Sequence, residues 1–204
     1  PTGHNWHYGH CRNPWNPERI TGGSSSGTGA SVAARANFAG LGSDTGGSIR
    51  LPAALCGTSA IKPTYARVSR AGAMPLSHSL DTVGPLTRTV EDAALIAQLI
   101  SGPEPRDATC DPRPVPDWIS EIGNPIKGLR LGRPRQYFYD ECEPQIAAAM
   151  EASLEAFGRL GARIVEVDVP EFAAYSAAAV LISTAEAATL HREWLRTRAR
   201  DYSD

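Results

Sequence analysis

The 204-residue sequence predicts an α/β fold, and three observations carry that prediction. Segments of helical and strand-like hydrophobic period alternate along the chain, and glycine-rich turns separate them. Hydrophobic residues make up 42% of the sequence, enough to bury a core. No internal repeat is detectable, which excludes a solenoid or propeller.

The elements follow in order. Residues 1–20 are rich in His, Trp, Asn and Pro, and Asn13-Pro14 and Asn16-Pro17 mark turns, so this stretch reads as a structured loop. A polar Gly/Ser run at residues 21–29 leads into residues 30–38, whose alanine content favours helix. Residues 42–48 form a second tight loop, because their glycines reach backbone conformations closed to other residues. Residues 49–64 mix small apolar side chains with Pro52 and Pro63. Val90–Ile100 is an amphipathic helix with Thr89 as N-cap and Glu91 and Asp92 in the first turn, where negative charge suits the helix dipole. Residues 101–125 are polar and proline-rich, as a linker would be. A short strand at residues 129–132, a helix at 143–160 closed by Gly161, a half-buried strand at 163–169 and a last helix at 177–200 complete the chain. On this basis residues 1–204 are part of a single domain, with a core at 1–100, a connection at 101–128 and a peripheral α/β segment at 129–204.

Composition narrows the function. The formal net charge of -2 supplies no positive field for nucleic acid or an anionic membrane. Cys11, Cys56, Cys110 and Cys142 are scattered without a C-x-x-C pair, which argues against a disulfide framework and a zinc knuckle and fits a reducing, cytoplasmic setting. The sequence shows no export signal, and no apolar stretch is read as long enough to span a membrane. Opening on Pro1 and stopping at Asp204 after a polar helical pattern, the chain reads as an internal piece of a longer enzyme.

Two serine-bearing glycine loops are the most informative feature. A hydroxyl nucleophile needs exposure and backbone N–H donors nearby, and successive N–H groups in Asp44-Thr45-Gly46-Gly47-Ser48 could converge on the oxyanion formed when Ser48 attacks a carbonyl. A plain glycine turn at a helix start is the competing interpretation. Phosphate binding at residues 22–29 fails because the loop lacks both the Walker lysine and the G-x-G-x-x-G spacing. His4, His7, His10 and Cys11 have ligand chemistry, but their spacing fits no metal template, and no metal or cofactor is expected. The serine also needs a base. His78 and the chain's two lysines, Lys62 and Lys127, are the candidates, and the sequence pairs none of them with Ser48.

These residues resemble the amidase-signature family. The likeness runs through Thr21-Gly22-Gly23-Ser24-Ser25-Ser26-Gly27, then the nine residues Gly42 to Arg50, Pro52-Ala53-Ala54 and Cys56-Gly57. It continues in order through Lys62-Pro63-Thr64, Arg67-Val68-Ser69-Arg70, the seven residues Ser79 to Pro85 and the seven residues Arg88 to Ala94, and Asn13-Pro14-Trp15 fits as well. The resemblance implies a mixed sheet flanked by helices on both faces, incomplete in this chain. It also implies a Ser-Ser-Lys triad: Ser48 as nucleophile, Ser24 as proton relay after a cis Gly23–Ser24 peptide bond, and a lysine on a strand upstream of this sequence. Thr45, Gly46 and Gly47, with the Ser48 amide, would form the oxyanion hole, and Ser25, Asp44 and Arg50 would support the loops. Lys62 matches a structural position of the family.

Ala60, Ala66 and Ser26 depart from the family pattern, Ala66 standing where glycine is more usual. The implied activity is hydrolysis of a linear, small-molecule amide through an acyl-serine intermediate, by a free-standing amidase acting as a homodimer with no direct nucleic-acid contact. The alternatives are the A subunit of a tRNA-dependent amidotransferase and a non-catalytic module.

Overall fold

The computed structural model describes residues 2–202. In chain order the elements are β1 (His4–Asn5), β2 (Gly9–His10), α1 (Ser26–Ala33), β3 (Ala39–Asp44), α2 (Arg50–Cys56), β4 (Ser59–Ala60), β5 (Thr82–Thr87), α3 (Val90–Ile100), α4 (Trp118–Glu121), β6 (Arg130–Pro134), α5 (Pro144–Arg159), β7 (Arg163–Val167) and α6 (Phe172–Thr197). They fall into two compact units: one runs to Ile122 and resumes at Val180, and the other is Gly123–Ala179.

In the first unit, β3, β5 and β4 form an antiparallel sheet in the order β3-β5-β4, with Gly42 opposite Gly84. The sequence pattern places residues 42–48 wholly in a loop, yet Gly42, Ser43 and Asp44 end β3 and the loop begins at Thr45. The physical reason lies in the glycines. Gly40 and Gly42, two residues apart, share one face of the strand. A Cβ on them would stand 2.5 Å from Thr28 Cγ2 and 2.4 Å from Ser25 Oγ, so their absence of side chain lets α1 and the residue before it lie against the strand backbone. Thr28 Oγ1 then donates to the Leu41 carbonyl at 3.0 Å.

Helix α1 spans Ser26–Ala33 rather than residues 30–38. It stops because Arg35 adopts φ 63° and the Ala36 N–H reaches back to Ser31 O at 2.9 Å, a left-handed helix ending more often built on glycine. Helix α3 keeps its expected bounds, and Thr89 accepts the Asp92 N–H at 3.1 Å.

Helix α2 is held at its C-terminus by residues distant in sequence. There the Asn13 amide donates to Leu55 O at 2.8 Å and the Trp15 indole to Cys56 O at 2.7 Å, satisfying carbonyls the short helix leaves open. Gly57 follows in the left-handed conformation at φ 66°. Ile49 and Leu86, both fully buried, pack with Ala53 beneath the start of α2, each contributing about 1.5–3 kcal/mol of burial.

The stretch read as a linker is strapped down. Arg67 pairs with Asp111 at 3.2 Å and donates to the Arg113 and Pro114 carbonyls, and Asp107 accepts the Arg70 N–H at 2.8 Å. Composition showed the polarity of this stretch but not its partner on the preceding segment.

The second unit contains β6 and β7, paired in parallel, with α5 as the connection between them. Pro144 opens α5 and Gly161 at φ 93° follows it. One sequence expectation is corrected: α6 has a mean hydropathy of 1.3 over an 18-residue window and, by length and composition alone, could cross a membrane. Its Glu186 nonetheless hydrogen-bonds Ser77 and Ser79 within the first unit.

Candidate active site

Asp44 organises the second serine loop. Its carboxylate, with no exposed side-chain surface, accepts N–H groups from Gly47 at 2.8 Å, Ile49 at 3.0 Å and Arg50 at 3.3 Å. The Arg50 guanidinium closes the set, Nε to Oδ2 at 3.2 Å and Nη2 to Oδ1 at 2.9 Å. Burial pushes the Asp44 carboxyl upward in pKa, but Arg50 and the three N–H groups outweigh it and leave the carboxyl below its usual range. Asp44 and Arg50 thus hold one another and the turn between them. Ser48 sits half-buried inside this turn, followed directly by the core anchor Ile49.

Ser25 joins the two loops. Its N–H donates to Ser48 O at 3.1 Å and its hydroxyl to Ser43 O at 3.4 Å. The peptide bond between Gly23 and Ser24 is cis, as the resemblance implied. Ser24 itself is exposed and lines two cavities. One, of about 570 Å³, runs past Ser25, Gly42 and Ser43 to Val68 and Ala73; the other, of about 300 Å³, is bordered by His4, His10 and Cys11. No hydrogen bond links the Ser24 and Ser48 side chains among the described residues, so the structure brings these loops together through Ser25 and the Ser48 backbone.

Of the expected oxyanion residues, Gly46 borders open space. Gly47 requires a correction: its N–H, expected to face an oxyanion, is given to Asp44 Oδ1. Thr45, Gly46 and Ser48 remain as backbone donors. The Thr45 hydroxyl donates to Asp81, and the Thr82 hydroxyl to Asp44 O at 2.9 Å. Sequence reasoning passed over Asp81 and Thr82. Both stand in the family-like run from Ser79 to Pro85, but their partners lie 36 and 38 residues away.

Among the described residues, no hydrogen bond joins Lys62 or His78 to Ser24 or Ser48. Lys62 Nζ donates to Pro63 O at 2.7 Å, the His78 carbonyl accepts from Tyr65 and Arg70, and Lys127 belongs to the other unit. His4 and His10 meet across the β1–β2 pair with Nδ1 atoms 3.3 Å apart, while His7 packs edge-on to Tyr8. Among the described residues, no group of three or more His, Cys, Asp or Glu could hold a metal ion.

Comparisons with known proteins give the family. The amidase family profile matches residues 1–202. The chain is 49% identical over 179 residues to the A subunit of glutamyl-tRNA(Gln) amidotransferase from Pelobacter propionicus, covering 88% of this chain and 37% of that protein. Against its counterpart from Akkermansia muciniphila it is 48% identical over 188 residues, covering 92% and 40%. The chain thus spans about two fifths of the length of the curated relatives it matches. Among solved structures, the A subunit of the Thermotoga maritima glutamyl-tRNA(Gln) amidotransferase superposes with a TM-score of 0.84 at 41% identity, covering 93% of this chain and 43% of that one. A chain from a vestigial protein complex linked to the origins of an s-triazine catabolic enzyme gives 0.92 at 41%, covering 98% and 43%. The native peptide amidase of Stenotrophomonas maltophilia gives 0.84 at 30%, covering 97% and 41%. With its two serine loops and these matches, the chain belongs to the amidase family.

Proposed function

We propose that these residues carry the acyl-transfer centre of an enzyme that hydrolyses a linear amide through an acyl-serine intermediate. The observation that carries this proposal is the Asp44-pinned turn around Ser48, tied through Ser25 to the loop that holds Ser24. Ser48 Oγ attacks the amide carbonyl while its proton passes to Ser24 Oγ, and the Ser24 proton passes to a lysine supplied by sequence outside these 204 residues. The N–H groups of Thr45, Gly46 and Ser48 hold the resulting oxyanion. As the C–N bond breaks, the proton returns through Ser24 to the leaving nitrogen. Water then attacks the Ser48 ester by the same relay and releases the acid.

Trapping tests this directly. With hydroxylamine added to the complete polypeptide during turnover of a simple amide, the acyl-serine should partition to a hydroxamate. Turnover without any hydroxamate, at every hydroxylamine concentration, would count against the intermediate.

A second reading is favoured by the 46–49% identity to amidotransferase A subunits: the acyl group comes from glutamine, and partner subunits receive the ammonia. Glutaminase activity that appears only with co-purifying partners would support it over a free-standing amidase. Amide turnover by the isolated polypeptide would support the free-standing enzyme.

A further inference from the structure

Asp81 is only 6% exposed and has no role in the chemistry described above. Its Oδ1 takes the Thr45 hydroxyl, and its Oδ2 takes the N–H groups of Leu76 at 2.8 Å and Ser77 at 3.0 Å. The turn from 76 to 81 is closed on itself, the Leu80 and Asp81 N–H groups meeting Ser77 O at 3.2 and 3.0 Å. Glu186 of α6 holds the other side of that turn. Its carboxylate receives both the Ser77 and Ser79 hydroxyls, the latter at 2.6 Å, and the Ser79 N–H at 3.1 Å. A hydrogen-bonded path therefore leads from α6 through a short turn to Thr45, the first residue after β3.

Thr45 matters because two glycines come directly after it. Gly46 and Gly47 have wide conformational freedom, and a loop free at its start would not hold its N–H groups on one point. Asp44 fixes the later residues, Gly47, Ile49 and Arg50, but no bond from Asp44 reaches the side chain of Thr45. Asp81 supplies the missing constraint at the near end.

We propose that Asp81 is a positioning residue, which orients Thr45 and with it the N–H groups of the oxyanion loop, and that Glu186 anchors the turn carrying Asp81. This rests on the acyl-serine mechanism proposed above. Preorganised donors act by already being aimed, so loosening their support lowers kcat while ground-state binding is nearly unchanged.

The test measures kcat, KM and the rate of Ser48 phosphonylation in the complete polypeptide, each normalised to folded protein. Thr45→Val keeps the shape but removes the hydroxyl, and its kcat and labelling rate should fall about 10-fold or more with KM within about 2-fold. Thr45→Ser, which restores the hydroxyl, should recover kcat to within about 3-fold. Adding Thr45→Val to Asp81→Ala should cost little beyond Asp81→Ala alone, because both break the same link. Glu186→Ala should lower kcat by about 2–5-fold, one step further from the loop.

A purely structural role would lower Tm and leave kcat per folded molecule unchanged, so wild-type kcat in Thr45→Val overturns the proposal. If Asp81→Ala does not fold, the Val and Ser variants of Thr45 decide it alone. If wild type neither hydrolyses amides nor labels at Ser48, the acyl-serine mechanism fails first, visible before any Thr45 variant is made, and the positioning role falls with it.

Discussion

The two serine loops are built on different physics. The loop around Ser48 is pinned by charge: a buried carboxylate gathers three N–H groups and a guanidinium. The loop around Ser24 is pinned by fit. A Cβ on Gly22 would meet the Leu51 and Pro52 backbone at 3.0 Å, one on Gly29 would meet Pro52 Cβ at 2.8 Å, and the loop's own link to Ser48 runs through a backbone N–H. The residue proposed as nucleophile is thereby held by a carboxylate and a guanidinium, and the residue proposed as relay by groups that do not titrate.

The largest effect should follow removal of the charged pin. Asp44→Ala leaves the Gly47 and Ile49 N–H groups without their acceptor and should destabilise the complete polypeptide by about 2–4 kcal/mol in urea titrations. Steric insertion comes next. Gly42→Ala drives a Cβ into Ser25 Oγ and should cost about 1–3 kcal/mol by the same titration, whereas Gly46→Ala, with nothing within 4 Å, should change little. Equal costs at Gly42 and Gly46 would break the contrast.

A smaller effect tests where the charge acts. The Arg50 side chain is 58% exposed, so Arg50→Ala should cost about 1 kcal/mol or less; a loss matching Asp44→Ala would mean that the ion pair, not the N–H set, holds the turn.

Acid should separate the loops as well. The Asp44 carboxyl is held below its ordinary value of 3.8, so its stabilisation is complete above that value and is lost as pH falls through the lower folded value. Glu186, brought down to about 2 first by the Ser77 hydroxyl and then by Ser79, loses its contribution between its ordinary 4.5 and about 2. Stability should therefore fall below about pH 4.5 in wild type and fall less in Asp44→Asn.

Smallest of all is a backbone control away from both loops. Ala66 has φ 68°, a conformation that costs a residue with a Cβ, so Ala66→Gly should raise stability by about 0.5–1 kcal/mol in the same titrations.

Much of the site was legible because glycine and serine chemistry is local. The glycines of residues 21–29 and 42–48 announced two special loops, and Thr89 with Glu91 and Asp92 fixed the start of α3. Strand β3 was missed because its glycines read as a loop, and only the closeness of Thr28 and Ser25 shows why a strand needs them. Asp81 and Glu186 were beyond local reading, since their partners stand 36 and 107 or more residues away. The resemblance points the Gly47 N–H at an oxyanion, and no local pattern tells which of several adjacent donors a neighbouring carboxylate will claim.

The most direct test of the central claim is intact-mass measurement of the complete polypeptide after treatment with a fluorophosphonate. Wild type should gain one adduct, Ser24→Ala should gain it more slowly, and Ser48→Ala should gain none. An adduct that persists unchanged in Ser48→Ala would contradict the assignment of the nucleophile and the mechanism built on it.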